Sequence, residues 1–270
     1  MKNIFKKFDF LVNARRSLLY YISFSKNILF VRSIQLDEKI VVSHRNGSVM
    51  ALPYRSIWNT EARQLNILSK NYLEHISRKY TTTGFTVECD EVVVDCGSFV
   101  GGFAVAASKI FGAKNVIAVE PTPLSRECLK INRSVYGLEN EIKIVPVGLG
   151  ASCGQFELNI SKSQCDNSFL APDAGFTGRS VSVSVLTFDE LAKKYGVAAD
   201  AKIFFKVEAE GFEPEVIAGI KNIKPAKIVI DVTPERDGKS PIRDIIPLLE
   251  ERGYRIFKQT KRCLFAILTD

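Results

Sequence analysis

Two groups of charged residues in this chain are spaced for chemistry, one suited to a small organic cation and one to handling a proton. Asp95 follows three consecutive valines, Val92 to Val94, and precedes Gly97, Gly101 and Gly102. Glu120 ends a second apolar run, NVIAVE, 25 residues further on. A glycine-bearing turn between a strand and a helix lets backbone approach a ligand, and the helix N-terminus presents free N–H groups. A dinucleotide site is usually spelled G-x-G-x-x-G, with the pyrophosphate lying on that N-terminus. Here the spacing is G-x-x-x-G-G, and Asp95 stands two residues before the first glycine. Its charge repels a pyrophosphate and suits a ligand carrying an ammonium and a sulfonium. S-adenosyl-L-methionine (SAM) is such a ligand, and Glu120 falls where an acid meets the two ribose hydroxyls. Two alternatives stay open: a nicotinamide dinucleotide, and a doubly wound domain in which Asp95 only caps the next helix.

The second group is Lys206, Glu208, Glu210 and Glu213 in KVEAEGFEPEVIAGI, at the carboxyl end of the strand expected over 202–207. Strand geometry puts Lys206, Glu208 and Glu210 on one side for as long as the strand lasts. Methyl transfer is an in-line displacement that asks a protein to align donor and acceptor and to accept a proton. Lys206, Glu208 and Glu210 are the candidates for that work. Glu213, and Asp231 at the end of the next strand, are candidates for holding the acceptor. The plainer reading is that these carboxylates pair with Lys206 or cap the helix near Pro214.

The elements that must position these residues alternate as a parallel sheet requires. Strands are expected over 92–95, 115–119, 142–147, 202–207 and 227–231, with helices over 103–111, 123–136, 187–195, 214–220 and 241–252. The alternation breaks at 148–186, where QFELNI and SVSVSVL read as a β-hairpin around a long polar loop, a candidate lid over 161–179. YRIF and CLFAIL close the sheet as an antiparallel pair. Upstream, 39–54 reads as a hairpin around Arg45-Asn46-Gly47, and 57–80 has helical spacing with Thr60 as its N-cap. The chain divides into an extension, residues 1–85, and a catalytic body, residues 86–270.

Charge is unevenly placed. Residues 1–33 hold seven basic residues against Asp9 alone, a net of +6, while the rest carries 30 basic and 29 acidic residues. That argues against a broad nucleic-acid groove on the main body. The apolar run in 1–33 is too short to span a bilayer. Two readings of it stay open: a basic aromatic-rich helix at an anionic membrane surface, or a helix packed on the body with its charges solvated. Six cysteines without a C-x-x-C, and only His44 and His75, argue against zinc and against a disulfide framework, and fit a reducing, cytoplasmic compartment.

The ordered motifs VDCGSFVGGF (94–103), AVEPTP (118–123), VPVGLGASCGQFEL (145–158), VLTFDEL (185–191) and KVEAEGFEPEVIAGI (206–220) resemble those of the FkbM family of SAM-dependent methyltransferases. The resemblance covers roughly residues 91–232. It implies a Rossmann-like class I α/β fold with a seven-stranded, mostly parallel sheet, the β-hairpin insertion, and an N-terminal helical and hairpin extension. It implies SAM contacts at Asp95, Gly97, Gly101 and Glu120, with Ser98, Pro121 and Gly148 from the same motifs, and no metal. Ser98-Phe99 replaces the family's Ala-Asn, and Glu208 stands where the family has an aspartate. The family methylates hydroxyls, mostly on sugars and polyketide-like products, so the implied activity is O-methylation of a sugar, glycan or other small hydroxyl-bearing acceptor. The rival functions are a SAM-binding protein without turnover, a nicotinamide-dependent oxidoreductase and, more remotely, a nucleic-acid methyltransferase.

Overall fold

In the computed structural model the described residues are 31–44, 48–58 and 71–269. The expected N-terminal helix, the Thr60 cap and the Asn46-Gly47 turn lie outside them, except that residues 31–33 are strand and not helix. A seven-stranded sheet forms the centre, in the order β12-β13-β11-β10-β4-β5-β6. Its strands are β4 (Val92–Cys96), β5 (Asn115–Val119), β6 (Ile142–Val145), β10 (Ile203–Val207), β11 (Lys227–Asp231), β12 (Tyr254–Gln259) and β13 (Cys263–Leu268). β13 alone runs against its neighbours. Chain order reverses between β4 and β10, so the loops leaving those two strands diverge and open a crevice at their carboxyl ends.

β4 and β10 are buried along their whole length, as strands in the middle of a parallel sheet are, the charged Asp95 and Lys206 included. Side chains alternate between two cores. Val94, Ile117 and Phe205 face one core with helices α4 (Phe188–Lys194), α5 (Glu213–Ala218) and α6 (Ile242–Glu251). Val93, Phe204, Val229 and Phe265 face the other, with α1 (Tyr72–Tyr80), α2 (Gly102–Phe111) and α3 (Pro123–Val135). That second face also receives Asp95, Lys206 and Asp231, which stand in step with its apolar residues along the same strands.

Two smaller sheets flank the centre. β1 (Val31–Leu36), β2 (Lys39–His44) and β3 (Val49–Pro53) form an antiparallel meander. It docks on α3 through Asn132, whose side chain accepts from Ala51 N at 2.6 Å and donates to Ala51 O and Val100 O. β8 (Gly154–Ser161) and β9 (Phe176–Leu186) make the expected hairpin, and the two-residue β7 (Gly148–Leu149) joins it in parallel with β9. Of the 57–80 stretch, residues 54–58 form a 3-10 turn and only Tyr72–Tyr80 forms the described α-helix. Among the described residues no helix is long and apolar enough to cross a membrane.

Candidate active site

A cleft of about 1640 Å³ opens at the carboxyl ends of β4, β5, β10 and β11. Ligand pockets usually measure roughly 300–1,000 Å³, so there is room for a donor and an acceptor together. One half is walled by the turn after β4, by Glu120 and Pro121 after β5, and by Gly148. The other half is walled by Lys206, Glu208 and Glu210 after β10, by Asp231, Thr233 and Glu235 after β11, and by Lys79 and Tyr80 of α1.

The turn after β4 is drawn in tightly. Gly97 and Ser98 donate their N–H groups to Val119 O at 3.0 Å, and Gly97 adopts φ 69°. A Cβ at Gly97 would lie 1.7 Å from Glu208 O, so only glycine allows the β4 and β10 loops to meet here. Gly101 serves a different purpose. A Cβ there would meet Leu129 at 2.0 Å, so it seats α2 against α3 and stands behind the cleft wall. The Ser98 hydroxyl turns back onto Asp95 O at 2.7 Å and steadies the loop.

Glu120 is 5% exposed and lines the cleft. Its Oε2 accepts from Phe99 N and its Oε1 from Thr122 N, both at 2.8 Å. Burial raises its pKa while those two N–H groups oppose the rise. Each oxygen keeps a second lone pair for a ligand hydroxyl.

Asp95 departs from the expectation of direct ligand contact. Fully buried, it sits under the turn, accepting from Ala104 N at 3.1 Å through Oδ2 and facing Lys206 Nζ at 3.0 Å through Oδ1. The reason is register: Asp95 and Lys206 are paired positions of adjacent parallel strands, so both turn onto the α2 face. Glu213 also departs from its expected place. Its Oε1 folds back to accept from Ala209 N at 2.7 Å and Gly211 N at 3.3 Å, beneath the β10 loop instead of in the cleft. Burial lifts its pKa to about 7.

The remaining charged groups form an alternating chain. Lys206 donates to Gly97 O at 2.8 Å and Cys96 O at 3.2 Å, and lies 3.3 Å from Glu208 Oε2. Glu208 Oε1 meets Lys79 Nζ at 2.5 Å, and Lys79 meets Asp231 Oδ2 at 2.7 Å. Burial works against ionised Glu208, but the Lys79 and Lys206 ammoniums outweigh it and hold its pKa far below the usual range. Glu210 shows the opposite balance. Burial, then the Glu235 and Glu208 charges, push it well above an ordinary carboxyl, and its backbone holds φ 51°. β10 ends at Val207, so Glu210 leaves the shared strand face and reaches the cleft through this turn.

Thr233 and Glu235 escaped the sequence reading. The Thr233 hydroxyl lies 2.6 Å from Asp231 Oδ1 and 2.5 Å from Glu235 Oε1, yet carries one proton. It satisfies both carboxyls when it donates to Asp231 and accepts from a protonated Glu235. Burial and the neighbouring Asp231 raise Glu235 to about 8, in agreement. The position of TPE just past an expected strand end was the available signal. Lys79 offered none, because its partner Glu208 lies 129 residues away in sequence.

The loop between β8 and β9 closes the top. Asn167 Nδ2 donates to Thr122 Oγ1 at 3.3 Å on the donor side, and Ser168 Oγ donates to Glu210 O at 2.7 Å on the acceptor side. Phe169 packs on Phe212 at 5.0 Å between centroids. The loop thus spans the cleft from wall to wall.

The sheet order, with its crevice at the reversal point, is that of the class I SAM-dependent methyltransferase fold. The family model for the methyltransferase FkbM domain matches residues 95–256, more than half of the chain, and the chain belongs to that family. A methyltransferase, sdnD of Sordaria araneosa, is 25% identical over 191 residues, covering 61% of this chain and 73% of that protein. A crystal structure of methyltransferase FkbM from Methylobacillus flagellatus KT aligns over 78% of this chain at 17% identity with a TM-score of 0.48, and the match spans only 54% of that longer chain. The structure of M. jannaschii TYW2 in complex with AdoMet aligns over 87% of this chain and 85% of its own, at 14% identity and a TM-score of 0.41.

The methyl donor is SAM, and the residues present fit it. Glu120, whose oxygens each keep a free lone pair, and the turn at 97–99 would hold it, in a cleft wide enough for two ligands.

Proposed function

We propose that the protein transfers a methyl group from SAM to a hydroxyl of a sugar, glycan or related small acceptor. When bound, SAM supplies an electrophilic methyl carbon. Everything else falls to this chain. Glu120 and the 97–99 turn orient the donor, and the β8–β9 loop excludes water. The acceptor lies in the cleft against Glu208, and its hydroxyl proton passes to the Glu208 carboxylate as the new C–O bond forms and the methyl carbon's bond to sulfur breaks, leaving S-adenosylhomocysteine.

The observation that carries this reading is Glu208: an ionised carboxylate fixed by two ammoniums at the mouth of the crevice. An ionised carboxylate accepts a proton, whereas Glu235, raised to about 8, keeps its own near neutrality, and Glu210 is pushed in the same direction; both serve as donors to the acceptor's other oxygens. The room beside the donor half supports a small hydroxylated acceptor.

The test has two parts. Isothermal titration with SAM and S-adenosylhomocysteine should show binding that Glu120→Ala removes. Glu208→Gln should keep that binding and lose on the order of 10²–10⁴ in kcat on any hydroxyl acceptor found in a sugar panel. Full activity in Glu208→Gln would exclude the carboxylate as proton acceptor, and NADH binding in place of SAM would remove the whole reading.

A further inference from the structure

Lys79 is outside the segment that matches the family, yet its ammonium is placed at the centre of the acceptor half of the cleft. It bridges Glu208 Oε1 at 2.5 Å and Asp231 Oδ2 at 2.7 Å, two carboxylates from different strands. Lys206 does not make it redundant. Lys206 is committed to Gly97 O, Cys96 O and Asp95, all at 3.2 Å or less, and its contact with Glu208 is the longest of the four at 3.3 Å. Asp231 has no ion pair with Lys206, so among the described residues its counter-charge comes from Lys79.

We propose that Lys79 is a positioning residue of the acceptor site, and that α1 is therefore part of the catalytic apparatus: its ammonium fixes Glu208 and Asp231 side by side and keeps both carboxylates available to the acceptor. The proposal rests on the reading of Glu208 as the proton acceptor. Its physical basis is the spacing. Two carboxylates that share one ammonium lie close enough to repel strongly without it, and such a pair relieves the repulsion by taking up a proton.

Among the described residues the other cations on the cleft wall, Arg55, Lys162, Lys261 and Arg262, make no ion pair with Glu208 or Asp231. From α1 itself come Tyr72, His75 and Tyr80, and from β4 come Asp95 and Cys96. β10 supplies Lys206 alone, and the loops beyond β10 and β11 add Glu210, Glu213 and Glu235, which deepen the repulsion. β13 adds the Cys263 thiol, and Arg262 beside it is exposed to solvent. Burial disfavours a charged Lys79, but Glu208 and Asp231 more than compensate and hold its pKa well above the ordinary lysine value. The ammonium is therefore present throughout the working range.

The experiment reads the carboxylates directly, without needing an acceptor. Full-length protein labelled with ¹³C at the Glu and Asp carboxyls is titrated by NMR, with Glu208→Gln assigning the Glu208 signal. In the wild type Glu208 should show no protonation step between roughly pH 5 and 8, well above the range of a salt-bridged carboxylate. In Lys79→Met the Glu208 protonation step should move upward by about 1–3 pH units relative to the wild type, followed down to roughly pH 2. Lys79→Arg should restore the flat wild-type profile. A wild-type Glu208 that titrates at or above the ordinary carboxylate value overturns the proposal even if the methionine variant fails to fold. So does a Lys79→Met titration that matches the wild type. Calorimetry with SAM and the sugar panel run separately: failure there removes the methyl-transfer reading, while the carboxyl titration still decides the part played by Lys79.

Discussion

At the scale of single residues the site is a problem of protons. Five carboxyls, Glu208, Glu210, Glu213, Asp231 and Glu235, crowd the ends of two strands, and two buried ammoniums are not enough to keep all of them charged. The structure divides the roles by partner. Glu208 has both ammoniums, whereas the partner of Glu235 among the described residues is the Thr233 hydroxyl. This division has a consequence for stability. Glu235 rises from an ordinary 4.5 to about 8 on folding, so the folded state binds its proton more tightly than the unfolded chain. Its contribution is fully present below pH 4.5 and is lost as pH rises through 8. Glu213, raised from 4.5 to about 7, acts in the same direction over a shorter span. Melting temperature should therefore fall from pH 5 to pH 8 in the wild type, and Glu235→Gln should flatten that fall across the whole interval. An unchanged slope in the variant, followed by differential scanning calorimetry, would place the protonated carboxyl elsewhere.

At the scale of elements, the strands and helices of the central body were legible because each carries its own signal. VVVD and IFFKV are apolar runs of strand length, and Thr187 in VLTFDEL caps its helix as such residues do, accepting from Glu190 N at 3.2 Å. What a strand end does not reveal is which face its last side chain takes, and that is why Asp95 was expected in the ligand site. Counting back from Val93 and Phe204, which face α2, puts Asp95 and Lys206 on the same side as those two apolar residues. Inter-element contacts such as Asn132 are harder still, because a polar residue on an amphipathic helix looks solvated until its partner strand is placed. Asn132 is wholly buried and ties α3 both to β3 and to the turn carrying Val100. Asn132→Ala would leave Ala51 N, Ala51 O and Val100 O without that partner in a buried setting. Such groups cost about 1–3 kcal/mol each, and partial relaxation brings the expected loss to about 2–4 kcal/mol. Denaturant titration should show that drop in midpoint, while Asn132→Asp, which keeps the acceptor for Ala51 N but not the two donors, should fall between.

At the scale of the molecule, the extension and the body share a core. Tyr80 and Phe85 belong to the extension as the sequence divides it, and neither is exposed at all. Tyr80 meets Phe103 edge-on at 5.3 Å, and Phe85 sits against Phe204 at 5.6 Å and Phe265 at 5.2 Å. Phe103 opens α2 while Phe204 and Phe265 come from two strands of the central sheet, so these two rings fill the α2 face of that sheet. The division near residue 85 marks a change of topology, from meander and helix to alternating strand and helix, and packing runs across it. Truncating one buried aromatic costs about 3–5 kcal/mol, and a whole domain is stable by only about 5–15 kcal/mol. Removing residues 1–85 takes away both rings, the Lys79 bridge, and Tyr72, whose hydroxyl would stand 2.3 Å from a Cβ at Gly102. Residues 86–270 alone should therefore show no cooperative thermal transition by circular dichroism and no calorimetric response to SAM. In the full-length chain, Tyr80→Ala with Phe85→Ala should lower the melting temperature steeply while leaving secondary structure content close to the wild type. A truncated chain that melts cooperatively and binds SAM with wild-type affinity would show instead that the body closes its own core, and would confine the extension's part to the acceptor half of the cleft.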